Sequence, residues 1–156
     1  MPRSSAASSR RAEIERICRE HSLPITAQRR VVLEVLPRLN HPTVDEIWAA
    51  VQKSLPEVSR TTVYRILETF AELRIVRKVC HPGAAARYED RTTRHHHLVC
   101  IQCGKMTDLD APSLDQIGFP GEESGFQIED YSIQFRGLCL PCAASSAKVP
   151  ARKTGK

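Results

Sequence analysis

The chain has 156 residues, 41% of them hydrophobic and 26% charged, with a formal net charge of +5; that length accommodates one domain or two small ones. No window approaches the roughly 18 uninterrupted apolar residues of a membrane helix, and the Ser/Arg-rich start lacks the apolar stretch of a secretory signal. A soluble cytoplasmic protein without a membrane partner is the expectation.

In chain order, residues 1–11 (MPRSSAASSRR) are poor in apolar side chains and are expected to form a disordered basic tail. Ile14, Ile17, Cys18 and His21 then recur at i, i+3, i+4 and i+7, the stripe of a first amphipathic helix ending before Pro24. Cys18 reads as a small apolar core residue on it. Thr26 can cap a second helix, with Val32, Leu33, Val35, Leu36 and Leu39 as its apolar face and His41-Pro42 as its stop. Thr43-Val-Asp-Glu46 is a capping-box pattern, so a third helix should open there with Ile47, Ala50 and Val51 inward. Ser59 can cap a fourth, in which Val63, Ile66, Leu67 and Phe70 keep helical spacing. Ile75–Val79 and Ala86–Glu89, flanking the turn formers His81-Pro82-Gly83, read as a β-hairpin. Helices followed by a hairpin outline a winged helix-turn-helix domain over residues 12–90.

From about Arg91 the pattern changes. His95–Ile101, Lys105–Leu109 and Phe126–Phe135 read as strands and Pro112–Ile117 as a short helix, broken by Gly118-Phe-Pro-Gly121. This places a small α/β domain at residues 91–145, followed by a second disordered basic tail at 146–156. The fold class is therefore α+β. Charge follows the same division: residues 12–79 carry 11 basic and 9 acidic side chains, whereas residues 80–144 carry 5 and 9. A mildly basic front suits DNA and an acidic back suits cations.

Six cysteines without an export signal point to metal rather than disulfides. Cys100-Ile-Gln-Cys103 and Cys139-Leu-Pro-Cys142 are two CxxC knuckles. Each directs two sulfurs at one ion, and together they complete a tetrahedral thiolate site that suits structural Zn2+. The rivals are a redox dithiol or an iron–sulfur cluster, although nothing resembles the usual cluster runs. Just before the first knuckle stand His95, His96 and His97. On a strand, His95 and His97 share a face and His96 takes the other. Two imidazoles on one face make a handle for a divalent metal, with Glu89, Asp90, Asp108 and Asp110 as the nearest carboxylates. The plain alternative is a strand edge that happens to be rich in histidine.

With these features assembled, the chain resembles the ferric uptake regulator family from about Ile14 to Cys142. The carriers are Thr26-Ala-Gln-Arg29, His41-Pro-Thr-Val-Asp-Glu-Ile47, Thr61-Thr-Val-Tyr-Arg65, His95-His-His-Leu-Val-Cys100, Cys103-Gly-Lys105 and Gly137-Leu-Cys139. The resemblance implies a homodimeric repressor that grips a palindromic operator in double-stranded DNA, the back domain serving dimerisation. It makes Ser59 to Ala71 the recognition helix. Tyr64 and Arg65 become its base contacts, with Arg60, Thr61 and Thr62 positioning it on the backbone; the plain reading of Tyr64 is core packing. It also implies a regulatory metal site of His41, Glu89, His95, His97 and Asp108. Pro24 stands where some members carry a basic minor-groove residue. Arg94, His96 and Tyr131 fall where some carry a further metal site, so no working site is expected there.

Within the family, Asp108 and the segments around His41 and Met106 resemble the peroxide-responsive branch, which uses Fe2+ or Mn2+, whereas Glu89 is typical of iron-responsive members. An iron-, manganese- or zinc-responsive uptake repressor is the alternative. The ligand types would also serve a zinc-binding enzyme or interaction module, but no nucleophile constellation accompanies them, so an enzyme is not expected.

Overall fold

The computed structural model describes residues 3–80, 83–91, 93–114, 116, 125–128 and 131–146. The chain divides into two compact units, Met1–Thr92 and Thr93–Lys156.

The N-terminal unit opens with helix α1, Arg3–Glu20. From Arg3 onward this corrects the disordered tail expected for residues 1–11; Met1 and Pro2 lie outside the described residues. Neither Pro nor Gly interrupts the segment, Ala and Arg favour helix, and the pairs Arg10–Glu13, Arg11–Glu15 and Arg16–Glu20 stand at i, i+3 or i, i+4. Low apolar content therefore did not prevent a helix here. Arg10 also donates to the carbonyls of Ile75 and Asp90, which fastens α1 to the rest of the unit.

Helix α2, Ala27–Val35, starts where expected, with Thr26 accepting from the Arg29 amide. It tightens into a 3-10 turn at Leu36–Arg38 because Pro37 has no N–H to continue the ladder. Helix α3, Val44–Val51, has its capping box closed on both sides: the Glu46 amide donates to Thr43 Oγ1 at 3.3 Å and the Thr43 amide to Glu46 Oε2 at 2.7 Å. Helix α4, Arg60–Glu72, is capped by Ser59, and its Val63, Ile66, Leu67 and Phe70 are buried. They meet Val32, Ile47, Val51 and Cys18 in one core. Trp48 Nε1 donates to the Val58 carbonyl at 2.9 Å, bracing the connection between α3 and α4.

Strands β1, Arg77–Val79, and β2, Arg87–Glu89, pair antiparallel with Lys78 opposite Tyr88. Two of the expected turn formers between them, His81 and Pro82, lie outside the described residues. Helices packed on a hairpin give the winged helix-turn-helix.

The C-terminal unit is built on a three-stranded sheet. Its middle strand β3, His96–Cys100, runs antiparallel to β4, Met106–Leu109, and parallel to β5, Gln134–Gly137. Helix α5, Leu140–Ser146, follows. The third strand is displaced from its expected place at Phe126–Phe135: Phe126, Gln127 and Ile128 are exposed and outside any strand. Local alternation there satisfies a strand period, but a strand also needs a partner, and β3 is already bordered on both sides. The expected helix from Pro112 is a turn at 111–114, closed by Leu114 N–H to the Ala111 carbonyl at 2.8 Å. Gly118 to Gly121 and the tail beyond Ser146 lie outside the described residues. Helix α5 was not expected; Pro141 in its first turn and Ala143 and Ala144 after it are its sequence signals.

Candidate metal centres

Four cysteines converge in the C-terminal unit. Cys100 ends β3 and Cys103 follows in a tight turn, closed by Gly104 N–H to the Cys100 carbonyl at 3.0 Å. Gly104 has φ 71, a left-handed value that glycine adopts without a Cβ clash. Cys139 precedes α5 and Cys142 lies in its first turn. All four Sγ atoms lie within 4.8 Å of one another, and Cys103 and Cys139 are 3.7 Å apart. A zinc tetrahedron with roughly 2.3 Å bonds sets its sulfurs about 3.8 Å apart. The amides of Cys139 and Cys103 point at Cys100 Sγ and lower its pKa to about 6, while hydrogen bonding to Cys139 and burial push Cys142 up to about 12. Thiolates packed this closely need a cation to ionise together. The donor set and spacing fit zinc in a closed structural site. Cys18 and Cys80 belong to neither metal-ligand cluster among the described residues.

In the N-terminal unit, His41 faces Glu89. The segment 41–43 is stitched to β2: Tyr88 N–H donates to the Pro42 carbonyl at 2.9 Å, Thr43 bridges Arg87, and Arg87 Nη1 donates to the His41 carbonyl at 2.6 Å. These bonds hold His41 at φ 46, an uncommon value for a residue with a side chain. Its Nε2 then lies 3.1 Å from Glu89 Oε2, both side chains buried, while Nδ1 lies 3.0 Å from Asn40 Oδ1. A neutral ring donating through Nδ1 presents its Nε2 lone pair beside a carboxylate, a pairing that a shared cation stabilises.

A second set of nitrogen and oxygen donors lies in the C-terminal unit. His95 and His97 put their ring centroids 4.7 Å apart, and His97 is the register partner of Asp108 on β4. His95 Nδ1 donates to the Thr93 carbonyl at 2.8 Å, which leaves Nε2 as the lone-pair nitrogen, 3.7 Å from Asp108 Oδ1. Asp90 and Asp110, also near in sequence, are not among the clustered ligands.

His96 takes the opposite face. It stacks on Tyr131 with centroids 6.1 Å apart and accepts from the Ile133 amide at 3.2 Å. The Arg94 guanidinium lies 4.6 Å from the Tyr131 ring centroid. A cation–π stack thus fills this position.

The five residues expected to touch DNA all lie in the first two turns of α4. Arg60, Thr61, Tyr64 and Arg65 are exposed, and Thr62 is half-buried through its part in the Ser59 cap. Tyr64, at 44% exposure, is a surface side chain rather than a core one. Arg60 grips Asp45 of α3 through two hydrogen bonds, one at 3.2 Å. Sequence reasoning missed that partner, and it missed a cleft of 280 Å3 in which the cap residue Thr26 and Gln28 and Arg29 of α2 stand beside Thr62 and Arg65. The cluster of Thr, Gln and Arg after Pro24 was its available signal.

The profile of the ferric uptake regulator family matches residues 20–136. The chain is 32% identical to the peroxide operon regulator of Bacillus subtilis over 127 residues, which is 80% of this chain and 88% of that protein. The Campylobacter jejuni peroxide stress regulator shares 29% identity and a TM-score of 0.66, over 81% of this chain and 97% of that one. The Helicobacter pylori ferric uptake regulator, described as having three functional metal binding sites, matches in fold at 21% identity, with a TM-score of 0.72 over 87% of this chain and 93% of that one. The chain belongs to the ferric uptake regulator family.

Proposed function

We propose that the protein is a cytoplasmic, metal-dependent repressor that binds a palindromic DNA operator as a homodimer and reports peroxide through a bound Fe2+ or Mn2+. The observation that carries the reading is the pair of half-sets, His41 with Glu89 and His95 with His97 and Asp108, each with ligands already turned to one side. Together they supply three imidazoles and two carboxylates, a mixed set that suits iron or manganese and holds it reversibly. An ion held by both sets favours whichever state of the chain binds it better. Metal then shifts the population toward one spacing of the reading heads. Cys100, Cys103, Cys139 and Cys142 hold Zn2+ permanently and stabilise the C-terminal unit.

DNA is read by α4, with Tyr64 and Arg65 at base edges and Arg60, Thr61 and Thr62 at the backbone. A second copy covers the exposed sheet face on which Leu98 of β3 stands beside Phe135 of β5, with Leu138 and Leu140 next to it. The peroxide signal is favoured over plain metal supply by Asp108 and by the names of the relatives in Bacillus subtilis and Campylobacter jejuni.

The test is intact mass with peptide mapping of zinc-retaining protein loaded with iron or manganese and exposed to dilute hydrogen peroxide. An iron-dependent gain of one oxygen atom on His41 or His95 is expected. Unmodified protein with iron confirmed in the site identifies a regulator of metal supply instead.

A further inference from the structure

The N-terminal unit holds a polar triad that neither the metal ligands nor the base contacts use. Glu68 lies one turn beyond Tyr64 on α4. Its carboxylate accepts from Lys78 Nζ at 2.8 and 3.0 Å and from the Tyr88 hydroxyl at 2.7 Å. Lys78 and Tyr88 are register partners across the hairpin, so one carboxylate ties α4 to both β1 and β2. The same Lys78 ammonium lies 5.9 Å from the centroid of the Tyr64 ring, within cation–π reach. Tyr64 is therefore held from below by the wing while its outer face stays open.

Phenylalanine would fill the space of the fully buried Tyr88 ring equally well. A buried hydroxyl is costly unless bonded, so its bond to Glu68 fixes the distance between β2 and α4. The next residue on β2 is Glu89, whose side chain takes the opposite face of the strand and meets His41. A shift of β2 on ligand capture at Glu89 passes through Tyr88 to Glu68 and Lys78, and so to Tyr64.

We propose that Tyr88, Glu68 and Lys78 are positioning residues that transmit the state of the Glu89 strand to Tyr64, coupling metal capture to DNA reading. The inference rests on the regulatory-metal reading above. For the test, wild-type protein with Mn2+ selects a duplex from a random library. Affinities for that duplex and for an unrelated one are then measured with and without Mn2+ for wild type, Tyr88→Phe, Glu68→Gln, Tyr64→Ala and the Tyr64→Ala/Tyr88→Phe double variant. Manganese affinity of the DNA-free proteins is read from the spectrum of unbound ion.

Tyr88→Phe should lower manganese stimulation of selective binding about tenfold, the size of one charge-assisted hydrogen bond. Binding to the unrelated duplex and the manganese affinity of the free protein should not change. In the Tyr64→Ala background the Tyr88→Phe loss should vanish, because coupled residues are not additive. Full stimulation in both Tyr88→Phe and Glu68→Gln overturns the inference, as does a Tyr88→Phe loss of equal size with and without Tyr64. If wild type itself selects no duplex in a manganese-dependent way, the regulatory reading fails first and the inference falls with it.

Discussion

At the scale of single residues, tautomer and backbone angle set the chemistry. His95 gives its Nδ1 proton to Thr93, so its Nε2 is committed to whatever lies beside Asp108. His95→Ala should therefore leave zinc content and dimer intact while weakening regulatory-metal affinity by at least about 10- to 100-fold, the loss seen when even an outer partner of a metal ligand is removed. Manganese titration and an operator-binding assay check this; unchanged operator affinity would remove His95 from the site. Thr43 belongs to a different class, since it acts on the fold through both arms of a capping box. Thr43→Ala should cost about 1 kcal/mol in urea unfolding. The histidine pairing was legible from strand alternation alone. The left-handed backbone of His41 was not, because it follows from the bonds of the 41–43 segment to β2.

At the scale of elements, the helix starts at Thr26, Thr43 and Ser59 were readable because capping is local: a short polar side chain meets an amide three residues on. The contact of α4 with the hairpin is not local, and it carries a pH dependence. The Lys78 ammonium, with help from the Tyr88 hydroxyl, holds Glu68 below the ordinary glutamate range. A carboxylate depressed in the folded state stabilises it above its unfolded pKa, and that contribution is lost as pH falls through and below about 4. Glu68→Gln should flatten this part of the stability profile in denaturant melts at stepped pH, modestly because the group is partly exposed. A variant with the wild-type slope would show that the pair does not act on folding. The core side of α4 should respond more strongly: Phe70 is fully buried, and Phe70→Ala should cost ~3–5 kcal/mol.

At the scale of the whole molecule, the C-terminal unit depends on its thiolates, since two CxxC knuckles with 35 residues between them close onto one point. Cys100→Ser or Cys139→Ser should release zinc and yield an unstable chain that does not dimerise, read by a chromophoric chelator and by sedimentation. A stable, zinc-free dimer in either variant would mean that the thiolate site is misassigned. The sequence by itself determined the helix caps, the winged-helix order and the two CxxC knuckles, because caps, apolar periodicity and ligand spacing are properties of short segments, whereas joining His41 and Glu89 to the histidine strand took the family resemblance. Tertiary structure alone decided that the third strand is Gln134–Gly137 and that Glu68, Lys78 and Tyr88 join. Each of these depends on a partner distant in the chain, β3 for the strand and the hairpin for Glu68, as does the tether of Arg10 to Ile75 and Asp90, which no local pattern reveals.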